Sequence, residues 1–143
     1  MKALLTGATG FVGRHLVSAL LRRGDTVTAL IRSPQKAQEI ADLGVRLVKG
    51  DLDDQRAMAQ ACEGQDVVYH VAGVVAALGE AEFLRVNRDG TRALLEAATR
   101  AAAGRFVLVS SAAAAGPSLP GVPLKGDEPP NPVTIYGRSK LAG

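Results

Sequence analysis

Regular alternation of short apolar strands with helical stretches predicts an α/β fold, a doubly wound parallel sheet with strands in the order 3-2-1-4-5. Three observations predict it. Five runs rich in Val, Leu and Ile read as strands, with a helical segment after each of them. The turns between strand and helix are short, so each crossover returns to the same sheet, and right-handed crossovers set the order. The unusual polar and glycine residues fall after strands, at the carboxyl edge where such sheets take a ligand across the switch between strands 1 and 4.

The first strand spans residues 3–5 and runs into T-G-A-T-G-F-V-G at residues 6–13, followed by a helix over 11–21 with apolar residues at helical spacing. Arg23-Gly24-Asp25 stops that helix, and the β-branched run 26–31 is the second strand. Ser33-Pro34 has the form of an N-cap with proline at the first helical position, opening a helix over 35–43 that Gly44 ends. Strand 3 covers 45–49. Asp53 or Asp54 caps the helix 55–61, which Gly64 closes. Strand 4, residues 66–71, is nearly all apolar, as a strand covered on both faces should be. A long helix over 81–102 is expected to bury Phe83, Val86, Leu94, Leu95 and Ala98. Strand 5 covers 105–110, a Gly- and Pro-rich loop covers 116–132, and a last helix starts near Ile135.

At 143 residues the chain is long enough for one domain with a real core, and with aromatics at only 3% that core must be aliphatic and alanine-rich. Net charge is +3, but the basic residues are scattered without interleaved aromatics, which argues against a nucleic-acid partner. The lone Cys62 has no partner for an internal disulfide and is expected to pack as a small apolar side chain. No signal peptide is visible, and the longest apolar region, residues 67–78, contains His70 and Gly73 and is too short to span a bilayer. A soluble, cytoplasmic protein without membrane partners is expected.

Two clusters carry the chemistry. A strand, a glycine turn and a helix in that order suit a phosphate: glycines let backbone N–H groups approach its oxygens, and the helix dipole adds about half a positive charge. Gly7, Gly10 and Gly13 are spaced G-x-x-G-x-x-G, not G-x-G-x-x-G. Taken alone, the turn is equally a structural one. Tyr136 and Lys140 stand four residues apart on one face of the last helix, where an ammonium favours the phenolate and readies the tyrosine for proton transfer. Alone, this spacing is common and reads more readily as an exposed helix pair.

Taken together and in order, T-G-A-T-G-F-V-G, Gly50-Asp51-Leu52, His70-Val71-Ala72-Gly73, Val109-Ser110-Ser111 and Y-G-R-S-K resemble the extended short-chain dehydrogenase/reductase family, the NAD-dependent epimerase/dehydratase group. The likeness runs from residue 3 to the last residue and is closest to the branch of dihydroflavonol reductases and 3β-hydroxysteroid dehydrogenases. It implies a Rossmann-like NAD(P)-binding domain over 1–143. Gly7, Gly10 and Gly13 would hold the pyrophosphate, with the N–H groups of Phe11 and Val12 facing it. Asp51 would bind the adenine amino group and Leu52 would pack on the ring, unless Asp51 caps the next helix. Ala72 and Gly73 would line the nicotinamide-ribose side, with His70 structural and Asn87 bracing the backbone or a water.

In the same resemblance Ser111, rather than Ser110, orients the reacting oxygen. Tyr136 passes the proton, and Lys140 holds the ribose hydroxyls and lowers the tyrosine pKa. The choice of cofactor turns on Arg32. An acidic residue at the end of strand 2 suits the 2′-hydroxyl of NAD, whereas an arginine nearby suits the 2′-phosphate of NADP. The segment Ile31-Arg32-Ser33-Pro34 has no carboxylate, so NADP is favoured over NAD, with an ordinary exposed arginine as the alternative.

The expected function is an NADP-dependent reductase or dehydrogenase acting on a small-molecule carbonyl or secondary alcohol. The alternatives are a nucleotide-sugar epimerase or dehydratase with NAD, and a non-catalytic NADP sensor on the same fold. Family members continue for about as many residues again, so the chain is expected to be an N-terminal fragment lacking the C-terminal strands and substrate domain. Partly uncovered apolar faces on strands 4 and 5 then predict self-association, as a homodimer or homo-oligomer.

Overall fold

Five parallel strands build one sheet: β1 (Lys2–Thr6), β2 (Thr26–Ile31), β3 (Arg46–Lys49), β4 (Val67–His70) and β5 (Arg105–Leu108). Their order is β3-β2-β1-β4-β5, as short right-handed crossovers require. The register places Ala3 beside Val27 on one side and Val67 on the other, so β1 sits at the centre with the topological switch beside it. The computed structural model describes residues 1–143. Two compact units make up the chain, residues 1–72 with 92–109, and residues 73–91 with 110–143.

The first unit contains the whole sheet. Side chains alternate across it with period two. Ala3 and Leu5 of β1 share one face with Val27, Ala29 and Ile31 of β2 and Val67 of β4. They form one buried cluster with Val17 and Leu20 of α1 (Phe11–Arg22) and Ile40 of α2 (Gln38–Ala41). Leu4, Leu30, Val48 and Val68 alternate to the other face and are buried as well, as strands covered on both sides should be. α3 (Gln55–Cys62) packs on β2 and β3 and buries Ala57, Met58, Ala61 and Cys62. Burial pushes the Cys62 thiol up to about 11, so it packs as an inert apolar side chain. At the opposite end of the sheet from the glycine turn, Asp25 accepts from the Met1 ammonium at 2.9 Å and from Arg23 Nε at 2.6 Å.

Local differences from the sequence reading have physical causes. The stretch after Pro34 is a 3-10 turn (Pro34–Ala37) followed by the short α2, not one helix. Ser33 does not cap it with its side chain; its hydroxyl donates to Gln35 Oε1 instead. Asp54, not Asp53, caps α3 by accepting from the Ala57 N–H at 2.9 Å.

The helical run expected over 81–102 is divided into α4 (Glu80–Leu84), a π-helical turn (Arg85–Asp89) and α5 (Gly90–Arg100). Leu95 follows Leu94 by one residue, about 100° further round the helix, so the two cannot share one narrow buried stripe. Leu95 is 45% exposed, whereas Leu94, Ala97 and Ala98 are buried, and Val86 is half-buried. Val67 and Val68 of β4 are buried rather than uncovered. Tyr69 of β4 and Phe106, Val107 and Leu108 of β5 are partly exposed.

The second unit holds α4, the π turn, a short helix α6 (Ala112–Ala115) that the sequence reading did not include, and α7 (Ile135–Ala142). α6 and α7 pack together with Gly137 at the crossing, where a Cβ would collide with the carbonyl oxygen of Ala113. Thr134 caps α7, its hydroxyl accepting from the Gly137 N–H at 2.9 Å. Asn131 N–H donates to Ala115 O at 2.8 Å, which closes the base of the long loop between α6 and α7. No helix is long and apolar enough to cross a membrane.

Candidate cofactor and catalytic residues

In the first unit the end of β1 is tied to the end of β4. Thr6 Oγ1 lies 2.7 Å from His70 Nδ1 and also accepts from the Ala72 N–H at 3.2 Å. His70 is fully buried, in the structural position expected of it. The glycine turn starts from this tie. Gly7 has φ +72°, and a Cβ there would stand 2.7 Å from the Ala72 nitrogen. A side chain at Gly13 would collide with the carbonyl oxygen of Gly7. Gly10 donates to Gly7 O at 3.0 Å and serves as the N-cap of α1 without a side chain to offer.

The glycine spacing therefore has a packing cause: the first turn of α1 rests directly on the loop that leads into it. The same arrangement suits an anion. The first turn of α1 has no capping side chain and no acidic residue, so its first N–H groups, those of Phe11 and Val12 among them, remain for a ligand. The Phe11 side chain is 82% exposed and meets His15 edge-on at 4.9 Å. A glycine cradle under an uncapped helix end fits the diphosphate of a dinucleotide.

Arg32 is exposed immediately after β2. Asp51 is exposed after β3, and its Oδ1 accepts from the Leu52 N–H at 2.7 Å. Because Asp54 caps α3, the capping alternative for Asp51 falls away. Leu52 is buried, at 8% exposure, so little of its side chain is open to a ring.

The second unit brings together Gly73, Asn87, Ser111, Tyr136 and Lys140. Asn87 lies within the π turn at 1% exposure. Its carboxamide pairs with one backbone position: Oδ1 accepts from the Val74 N–H at 2.9 Å, and Nδ2 donates to Val74 O at 3.0 Å. Nδ2 also donates to Ser139 Oγ at 2.9 Å, and Ser139 Oγ donates to Tyr136 O at 2.7 Å. One buried amide thus links the chain after β4 to α7. π turns are frequent at functional sites, and this one carries the buried Asn87.

Lys140 is 6% exposed, and burial lowers its pKa. Tyr136, one helical turn earlier, is half-buried, with its ring 6.1 Å from that of Phe83. The reading of Tyr136 and Lys140 as an exposed surface pair is thereby removed. A Cβ on Gly73 would stand 2.9 Å from Asn87 Oδ1 and 3.8 Å from Lys140 Nζ, so glycine leaves the space these groups occupy. Ser111 is half-buried and caps α6, its hydroxyl accepting from the Ala113 N–H at 3.1 Å. That contact uses a lone pair and leaves the hydroxyl proton to donate. Ser110 Oγ reaches Lys140 O at 3.4 Å.

The sequence reading did not identify Ser139 as the bridge between Asn87 and Tyr136, nor Val74 as the partner of Asn87. The polar residue buried mid-helix was the only signal of such a link.

A parallel sheet in this order, with a glycine cradle after β1 and a Tyr–Lys helix, defines a Rossmann-type dinucleotide-binding protein of the extended short-chain dehydrogenase/reductase kind. The chain belongs to the NAD dependent epimerase/dehydratase family, whose model matches residues 3–143. It is 50% identical to the ceramide reductase of Caulobacter vibrioides over 115 residues, which cover 80% of this chain and 36% of that protein. It is 40% identical over 114 residues to the 4-hydroxy-2-methyl-3-oxo-4-farnesyl-3,4-dihydroquinoline-1-oxide ketoreductase of Stigmatella aurantiaca, covering 79% of this chain and 34% of that one. Among solved structures it is similar to the UDP-glucose 4-epimerase of Thermus thermophilus in complex with NAD, with a TM-score of 0.89 and 30% identity over 99% of this chain and 48% of that one. The chain thus spans about a third to a half of the length of these relatives.

Proposed function

We propose that the protein is an NADP-dependent reductase or dehydrogenase acting on a carbonyl or secondary alcohol of a small, lipophilic molecule. The observation that carries it is the buried Lys140 one turn from the half-buried Tyr136 on a helix pinned through Ser139 to Asn87. A binding protein has no need of a lysine held at that cost of desolvation. A bound nicotinamide cofactor supplies or accepts the hydride.

The chain's own residues do the rest. Gly7, Gly10, Phe11, Val12 and Gly13 hold the diphosphate, with Asp51 and Leu52 at the adenine and Arg32 at a 2′-phosphate. Ala72 and Gly73 offer backbone without bulk. Ser111 donates its hydroxyl proton to the reacting oxygen and orients it. Tyr136 gives a proton to that oxygen from Oη in reduction and takes it back in oxidation. Lys140 holds ribose hydroxyls and favours the phenolate electrostatically.

The lipophilic substrate draws on the two relatives named for ceramide and for a farnesyl-bearing 3-oxo compound. Reduction of a panel of long-chain and polycyclic ketones tests the reading: turnover with NADPH is expected, falling by about 100-fold or more in Tyr136→Phe. Tight NADP binding without turnover of any carbonyl would favour a sensor. A second reading, a nucleotide-sugar epimerase retaining NAD, is favoured by the likeness to the UDP-glucose 4-epimerase. Equal affinity for NAD and NADP would support it over the first.

A further inference from the structure

A cavity of about 400 Å³ lies between the glycine turn and the segment that follows β2, lined by Thr9, Arg14, Gln35, Lys36, Gln38 and Glu39. That is within the size range of small-molecule pockets, about 300–1,000 Å³. Its walls come from two chain segments that dinucleotide sheets use: the loop after the first strand for the diphosphate, and the end of the second strand for the adenosine ribose. Two cations and one carboxylate line it. Arg14, in the first turn of α1, is fixed at two points: its Nε donates to Thr9 O at 3.1 Å, and its Nη1 forms an ion pair with Glu39 Oε2. Arg32 precedes Lys36 by one helical turn's worth of chain. Apart from Glu39 the lining residues are neutral or basic, so this carboxylate is the only charge there that opposes an anion.

We propose that Arg14 recognises the 2′-phosphate of the cofactor and that Glu39 tempers this preference by occupying Arg14 until the phosphate takes the arginine over. The inference rests on the NADP reading and deepens it. A guanidinium presents a fork of N–H donors. A phosphomonoester with nearly two negative charges and three acceptor oxygens competes for it better than one exposed carboxylate does. The ion pair keeps Arg14 aimed at the cavity in the free protein, and it is weak enough to exchange, since exposed pairs are worth little. Glu39 is thus both the placeholder that orients the arginine and the charge that tempers affinity. With a ligand lacking the phosphate, Arg14 stays with Glu39 and adds nothing.

Calorimetric titration of the protein with NADP, NAD, adenosine 2′,5′-bisphosphate and 5′-AMP tests this without any need for turnover. Glu39→Gln is expected to tighten NADP and adenosine 2′,5′-bisphosphate by about three- to fivefold and to leave NAD and 5′-AMP unchanged. Arg14→Gln is expected to weaken the two 2′-phosphorylated ligands by about tenfold while sparing the other two. In the double variant the gain from Glu39→Gln disappears, because the cation it released is gone.

If Arg14→Gln weakens NAD as much as NADP, Arg14 serves the diphosphate and the inference is wrong. If the wild type prefers NADP and Arg32→Ala abolishes that preference while Glu39→Gln and Arg14→Gln leave it untouched, the inference fails and the NADP reading stands. A wild type that binds NAD and NADP equally overturns both.

Discussion

Gly73 shows how tightly one residue is constrained. The space its missing side chain leaves is bounded by Asn87 Oδ1 and Lys140 Nζ. A methyl group there would press on a carboxamide already committed to Val74 and Ser139. Gly73→Ala is therefore expected to lower kcat more than it lowers thermal stability, because Asn87 shifts by tenths of an ångström and carries α7 with it; a steady-state assay beside a melting curve reads the two effects. Lys140 has the opposite signature. Its burial disfavours the charged ammonium, so Lys140→Met relieves a desolvation cost while removing the group proposed to favour the phenolate. The variant is expected to melt no lower than wild type and to lose turnover by about 100-fold or more. Comparing Tm with kcat for this one substitution checks it, and a large drop in Tm would mean that Lys140 is held chiefly for structure.

Among the elements, α7 depends most on residues distant in sequence. It has two full turns, its N-terminus is capped by Thr134, and it is secured through Ser139 to Asn87. Asn87→Leu keeps the volume but leaves the N–H and C=O of Val74 without their partner, at a cost of about 1–3 kcal/mol. It should also broaden the pH profile of turnover, since Tyr136 and Lys140 lose their fixed geometry; chemical denaturation and a pH–rate profile measure the two. The sequence made the frame of the molecule legible because the frame is written locally. β2 falls where its β-branched run falls, and α7 begins at the residue expected of it. Ser111, Tyr136 and Lys140 stood out as candidates because each sits in a motif a few residues long. What local pattern could not show is tertiary. The Asn87–Val74 pair joins residues 13 apart, with Asn87 set in a π turn. α6 is a four-residue helix of alanines whose place is fixed by a serine cap and by Gly137 of a later helix, and neither is a signal within its own window. The helix expected over 35–43 opens instead as a 3-10 turn without a side-chain cap from Ser33 and is α-helical only over Gln38–Ala41.

At the scale of the whole molecule, stability at low pH is tied to the end of the sheet farthest from the glycine turn. Asp25 is buried where the chain enters β2, and it is held by the Met1 ammonium and by Arg23. Hydrogen bonds from those two cations lower its carboxyl pKa against the opposing effect of burial. Glu128 is also lowered, by the backbone N–H groups of Lys125 and Gly126, but it lies in an exposed loop where such bonds stabilise little. With the folded pKa of Asp25 below the unfolded value, the unfolded chain binds the proton more readily. The contribution is then complete above the unfolded carboxylate pKa, about 4, and is lost as pH falls through the folded one. Asp25→Asn should thus lower stability at pH 7 and leave it nearly unchanged at a pH below the folded pKa, so that the acid limb of a plot of stability against pH becomes flatter than that of wild type. Chemical denaturation at a series of pH values from 7 down to about 3 measures both limbs. Parallel limbs displaced by a constant amount would assign the role of Asp25 to packing rather than charge, and the link between the start of β1 and the turn before β2 would then be steric.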